Sequence, residues 1–266
     1  MTTLHLVTAD VRVDLEVDDE RLAVAFRDVA SPWVVEDGAV EEATQAQLVL
    51  TAAVVGSLDV AVAQAVSDVD RAALSATTCL AIHAACVAGP SGAVVIPGRS
   101  GAGKSTLAGA CMQRGLVLLS DEAACLRPGR DDIAPHARPL GLSGSSRRIL
   151  GLPVLASEAD PDEVAVCPSL LGTSARPDSR HPPVLVAIPQ RVASEPASIV
   201  AVPTSQALRR LLENCLNVPT TTPSTGWSAS GAWGRLTLLA AAVDCVELRY
   251  DDPHDAARLL ASALDR

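Results

Sequence analysis

Lysine is all but missing from this chain: of its 21 basic residues, every one except Lys104 is an arginine. Aromatic side chains make up 2% of the sequence, which excludes an aromatic ligand cage and leaves the core to Ala, Val and Leu. Positive charge is in short supply, with a formal net charge of −10 and no basic run to offset it. That balance argues against a nucleic-acid or anionic-membrane partner. The seven cysteines are scattered and none falls in C-x-x-C spacing, so they read as small buried hydrophobes in a reduced compartment rather than as a metal or redox centre. No uninterrupted apolar run is long enough to span a bilayer, because Gly56 and Asp59 break the most apolar stretch, Leu48 to Val66. The first residues carry Asp10, Asp14 and Glu16 and no apolar signal segment. The expectation is a cytoplasmic protein.

The first eighty residues differ in texture from the rest. Leu4–Thr8 and Val11–Val17 alternate apolar and polar, the period of half-buried strands, and Gln47–Val55 is a third candidate. Asp18-Asp19-Glu20 and Glu41-Glu42 read as solvated connections, and a helix is expected around Asp70–Cys79. Residues 1–80 are therefore expected to form a small α+β subdomain, and 81–266 the main α/β domain. There, strands are expected at Ala81–Ala88, Ala93–Pro97, Leu116–Leu119, Val184–Pro189, Ser198–Val202 and Val243–Tyr250. Helices are expected at Lys104–Arg114, Gln206–Leu216, Leu236–Ala242 and Asp255–Asp265. Asn217–Gly234, rich in Thr, Ser, Pro and Gly, reads either as a plain loop or as a flap over the site.

The sole lysine lies in Gly98-Arg99-Ser100-Gly101-Ala102-Gly103-Lys104-Ser105, followed by Thr106. This run fits G-x-x-x-x-G-K-[ST], a loop whose backbone N–H groups cradle phosphates while its lysine reaches the β- and γ-phosphates. Gly98, Gly101 and Gly103 are expected to supply positive-φ freedom. Ser105 is placed to put a hydroxyl on Mg²⁺ at the head of a helix whose dipole favours anions. ATP and magnesium are the implied ligands.

Strand, loop, helix, strand and acid follow one another, the order a phosphoryl-transfer site requires. Asp121 ends the strand after the loop, placed either to bind magnesium or to accept the nucleophile's proton. Glu122 is its neighbour, and strand alternation would turn only one of the pair toward the nucleotide. His83 sits on the preceding apolar strand, where a lone histidine is more often a satisfied core residue. Arg138, held between His136, Ala137 and Pro139, reads either as a phosphate-binding cation or as a surface turn. Arg147-Arg148 is a further candidate for an acidic substrate.

From Ile82 to Leu126 the runs IHAACVAG, AVVIPGRSGAGKSTLA and QRGLVLLSDEAACL occur in unbroken order. In this order they resemble the HPr kinase/phosphorylase family, and more closely its kinase-related members associated with peptide maturation. The resemblance implies a fold of the phosphoenolpyruvate carboxykinase type. It implies Asp121 as the catalytic aspartate, Lys104 and His83 as active-site partners, and Ser105 with Asp121 toward magnesium. Thr106 stands where the bacterial HPr kinases carry glutamate. The family forms oligomers, so self-association is implied too. The activity implied is transfer of the γ-phosphate of ATP to a serine-type hydroxyl on a peptide or small protein. A free small alcohol or amino acid as acceptor, or a nucleotide-binding regulatory module with little turnover, are the alternatives.

Overall fold

The computed structural model describes residues 1–36, 46–154, 163–217 and 228–265. Strands β1 (Thr2–Thr8) and β2 (Val11–Val17) form an antiparallel hairpin and lead into helix α1 (Glu20–Val29). Strand β3 (Ala46–Ala52) then pairs in parallel with β2, and the long helix α2 (Leu58–Ala76) follows. Alternating burial along β2 turns Val11, Val13, Leu15 and Val17 onto a core with Leu22, Phe26 and Trp33. The acidic run read as a connection has a second use. Asp19 caps α1 by accepting from the Arg21 backbone N–H at 2.8 Å, satisfying a donor that helix geometry leaves unpaired. The helix expected at Asp70–Cys79 is the end of α2, which starts much earlier, capped by Ser57.

Two long strands, β4 (Leu80–Gly89) and β5 (Gly92–Pro97), form the centre of the main sheet. Helix α3 (Lys104–Met112) follows the phosphate loop, and β6 (Val117–Ser120) and β7 (Ala123–Leu126) return along the far edge of β4. The short strands β8 (Ile133–Ala134) and β9 (Leu140–Leu142), helix α4 (Gly144–Ile149) and β10 (Val164–Val166) lie beyond. The chain then runs through β11 (Pro183–Arg191), β12 (Ser198–Ala201), α5 (Thr204–Glu213), α6 (Ala229–Ala242), β13 (Asp244–Tyr250) and α7 (Pro253–Leu264). Among the described residues the main sheet has the order β12-β13-β11-β5-β4-β7-β8, with β6 also on β4. β5, β11 and β13 are mutually parallel and the other pairings antiparallel, so the sheet is mixed.

Period-2 alternation sorts this sheet's side chains into two cores. Ala85, Val87, Val94 and Ile96 face α3 and α7, whereas Ala84, Cys86, Val95 and Val186 face α5 and α6. A strand covered on both faces is apolar throughout, which explains the unbroken aliphatic text of β4 and β5. The result is an α/β three-layer domain with a small α+β layer beside it. Of the expected loop at Asn217–Gly234, residues 218–227 lie outside the described residues. Its last part is helical, since α6 begins at Ala229, capped by Ser228.

Candidate functional site

The parallel strands β5, β11 and β13 end on the same side of the sheet, and a cavity of about 450 Å³ opens there. The phosphate loop leaves the end of β5. Gly101 and Gly103 have φ of +78° and +81°, the left-handed region that side chains resist. Gly98 does not, contrary to expectation; there a Cβ would crowd that of Ala102 at 3.2 Å. Gly103 is the N-cap of α3 and no side chain caps that helix, so its first N–H groups remain for an anion.

Ser100, Gly101, Gly103, Lys104, Ser105 and Thr106 all line the cavity. Gly98, Arg99 and Ala102, expected among the binding residues, do not, although the Arg99 carbonyl accepts a 3.1 Å bond from Lys104 Nζ. Lys104 is buried, and burial pushes its ammonium below the ordinary value against the pull of Glu122 and Asp121. Its Nζ lies 2.8 Å from His83 Nε2. An ammonium has only protons to give, so Nε2 is the acceptor and Nδ1 carries the ring proton. That Nδ1 is 3.2 Å from both the backbone oxygen and Oε1 of Glu122. His83 is the one residue of β4 between Leu80 and Ala88 that is not buried, and it faces the cavity.

Asp121 and Glu122 both line the cavity, against the alternation expected of a strand. They sit at a bend between β6 and β7. The Ser120 Oγ makes this bend by accepting from Glu122 N at 3.1 Å and Ala123 N at 2.8 Å. Asp121 is 2% exposed, and its Oδ1 is buried with no hydrogen-bond partner among the described residues. Desolvation raises its pKa to about 6, with the Arg138 guanidinium the largest opposing influence. Glu122 is less buried, and its pKa falls below the usual carboxylate range. There His83 and Arg138 outweigh the desolvation.

Arg138 is no surface turn. Its Nε lies 3.5 Å from Asp121 Oδ1 and its Nη2 4.0 Å from Glu122 Oε2. Arg147 is buried, donates to the Pro153 carbonyl at 3.3 Å, and like Arg148 is not in the cavity wall. The expected role of that pair in gripping an acidic substrate has no support. Other wall residues escaped the sequence reading. Arg191 and Tyr250 come from the ends of β11 and β13, and Glu163 precedes β10. Ser146 of α4 meets Thr106 Oγ1 at 2.7 Å. The parallel strand ends were the available signal, since ligands of open α/β sheets gather there.

Among the described residues no three His, Cys, Asp or Glu side chains converge as a metal cage. Magnesium does not need one. It keeps several waters and takes one or two carboxylates with the substrate's phosphates. An unpartnered buried carboxylate oxygen, a serine hydroxyl and an uncapped helix N-terminus suit Mg²⁺ with a phosphorylated nucleotide. Among the described residues no helix is long and apolar enough to cross a membrane.

Fold and site together define a mixed α/β protein with a phosphate loop. No family model and no curated protein matches the chain. Among solved structures it is similar to the HPr(Ser) kinase/phosphatase from Coxiella burnetii, at 13% identity and a TM-score of 0.32, over 70% of this chain and 93% of that one. No fold, role or residue is assigned through a likeness of that size.

Proposed function

We propose that the protein is an ATP- and Mg²⁺-dependent kinase that transfers the γ-phosphate to a serine-type hydroxyl of a peptide or small protein. The observation that carries this reading is Asp121: a fully buried carboxylate beside the phosphate loop, with Oδ1 unpartnered and a pKa raised to about 6. A carboxylate near neutrality accepts a hydroxyl proton as the hydroxyl attacks, more readily than one in water. The uncapped start of α3 and Lys104 supply donors to the β- and γ-phosphates, and Arg138 a second cation. Ser105 and one oxygen of Asp121 would hold magnesium, which neutralises phosphate charge when bound. His83, fixed between Lys104 and Glu122, holds the lysine at the mouth of the loop.

The test is incubation with γ-labelled ATP, Mg²⁺ and candidate peptides or small proteins, alongside Asp121→Asn. The expected result is label on a serine with the unmodified protein. The variant should lose transfer by a factor of at least 10³ while binding nucleotide within a few-fold. Transfer by the variant at the parent rate would remove Asp121 from the role. ATP binding with no labelled acceptor would overturn the kinase reading for peptides and proteins.

A further inference from the structure

Helix α2 carries a residue that the reading above leaves unused. Asp70 reaches out of the N-terminal layer. Its Oδ1 is 2.8 Å from His136 Nε2, and its Oδ2 is 3.1 Å from Arg138 Nη1. His136 is fully buried, with its other ring nitrogen 2.5 Å from Thr8 Oγ1 of β1. Asp70 is thus clamped from behind and in turn holds one edge of the arginine.

The other edge shows the consequence. A guanidinium beside a buried carboxylate ordinarily closes to about 2.7–2.9 Å, often with two parallel bonds. Here Arg138 Nε stops 3.5 Å from Asp121 Oδ1, and among the described residues neither atom has a hydrogen-bond partner. Two opposite charges stand as an ion pair without a hydrogen bond between these atoms, although a hydrogen bond would satisfy both.

We infer that Asp70 is a positioning residue that tethers Arg138 through Nη1 and holds it off Asp121, so that Oδ1 keeps its capacity to accept a proton. The tether itself stands on the contacts of Asp70 with His136 and Arg138. Its effect on catalysis rests on the proposed reading of Asp121 as proton acceptor. It also means the site is incomplete without the N-terminal layer.

Two measurements separate these claims. The first is the Arg138 Nε–H resonance in ¹H–¹⁵N spectra of the full chain, assigned by its loss in Arg138→Gln. In Asp70→Asn, which keeps the shape and an acceptor for His136, that proton should move downfield as the bond to Asp121 forms. In Asp70→Glu, which keeps the charge, it should stay near its parent position. An unchanged resonance in Asp70→Asn overturns the tether. The second is a double-mutant cycle on phosphoryl transfer. Asp70→Asn alone should lower kcat about tenfold with KM for ATP changed less than threefold. Added to Arg138→Gln it should have no further effect, because no arginine is left to close. Penalties that multiply would mean that Asp70 acts only on the fold, and would overturn its positioning role. A shifted resonance in a protein that transfers no phosphate would leave the tether standing and remove the kinase reading instead.

Discussion

At the scale of single residues, Asp121 is a carboxylate whose burial costs the folded protein stability once it ionises. Unfolded, its carboxyl titrates near 3.8; folded, burial delays ionisation to about 6. Well below pH 3.8 both states hold the proton and the burial has no charge to penalise. Between 4 and 6 the unfolded chain releases the proton while the folded one keeps it, so this group's contribution falls as pH rises, and above 6 the full cost remains. About two pKa units correspond to on the order of 3 kcal/mol. Glu122 and Asp70, whose pKa values are lowered, act with the opposite sign, but they are common to parent and variant. Asp121→Asn should therefore raise the melting temperature of the ligand-free protein by several degrees at pH 7.5 and hardly at all at pH 4. Calorimetry at the two pH values decides it; an equal shift at both would place the effect in packing rather than ionisation. That Lys104, Ser105 and Asp121 line one cavity could be anticipated from the sequence, the first two from the fixed spacing of the glycine loop and Asp121 from its place after the next apolar strand. Asp70 was not, since its link to Arg138 joins positions far apart in the chain and no local pattern marks it.

At the scale of elements, β4, β5 and α3 were readable almost to the residue, because a strand buried on both faces and a helix after a glycine loop both write themselves locally. The segment from Ser120 to Ala123 was not. Period 2 predicts one carboxylate toward the site, and a buried hydroxyl overrides it by accepting two backbone bonds and bending the chain. Ser120→Ala removes that acceptor and leaves two backbone N–H groups to find others. Removing a partner from buried donors costs about 1–3 kcal/mol. If β6 then runs straight into β7, alternation returns and one carboxylate turns out of the cavity. The expected outcome is a destabilised protein whose kcat falls well beyond what its folded fraction accounts for. Activity in simple proportion to folded protein would show that the bend serves stability alone. Helix α1 was missed for a related reason: an acidic cap and an acidic solvated loop look alike until the backbone is seen.

At the scale of the molecule, the N-terminal layer and the main sheet meet through a small apolar cluster, Ala9, Leu74 and Cys79 against Ala123, Cys125 and Ala134, and through a set of buried polar links. The turn after β1 places Ala9 at a φ of 54° and donates from its N–H to the Pro135 carbonyl at 2.8 Å, one residue before His136. Asp10 is held by the Thr77 hydroxyl and by the Thr78 backbone N–H at 3.1 Å, fixing that turn to the end of α2. Thr8, Asp70 and the Trp33 ring, 6.0 Å from the His136 imidazole, surround the same histidine. The wall carrying Arg138 is thus built from both layers, and the N-terminal layer should not unfold without disturbing the cavity proposed to bind nucleotide. Phe26 tests this from a distance in sequence and is not one of the residues that line the cavity. It is fully buried in the N-terminal core, and Phe26→Leu should cost about 1–2 kcal/mol. In a urea titration the variant should lose fluorescent ATP-analogue binding and N-terminal structure together, both midpoints moving down by the same amount. The main-sheet signal should move with them, because cooperative domains share one transition. Nucleotide binding that survives to the parent midpoint while the N-terminal layer melts early would instead make the two layers independent. The cavity would then need only its own sheet, and the links through His136 would be a docking contact without a role in the site.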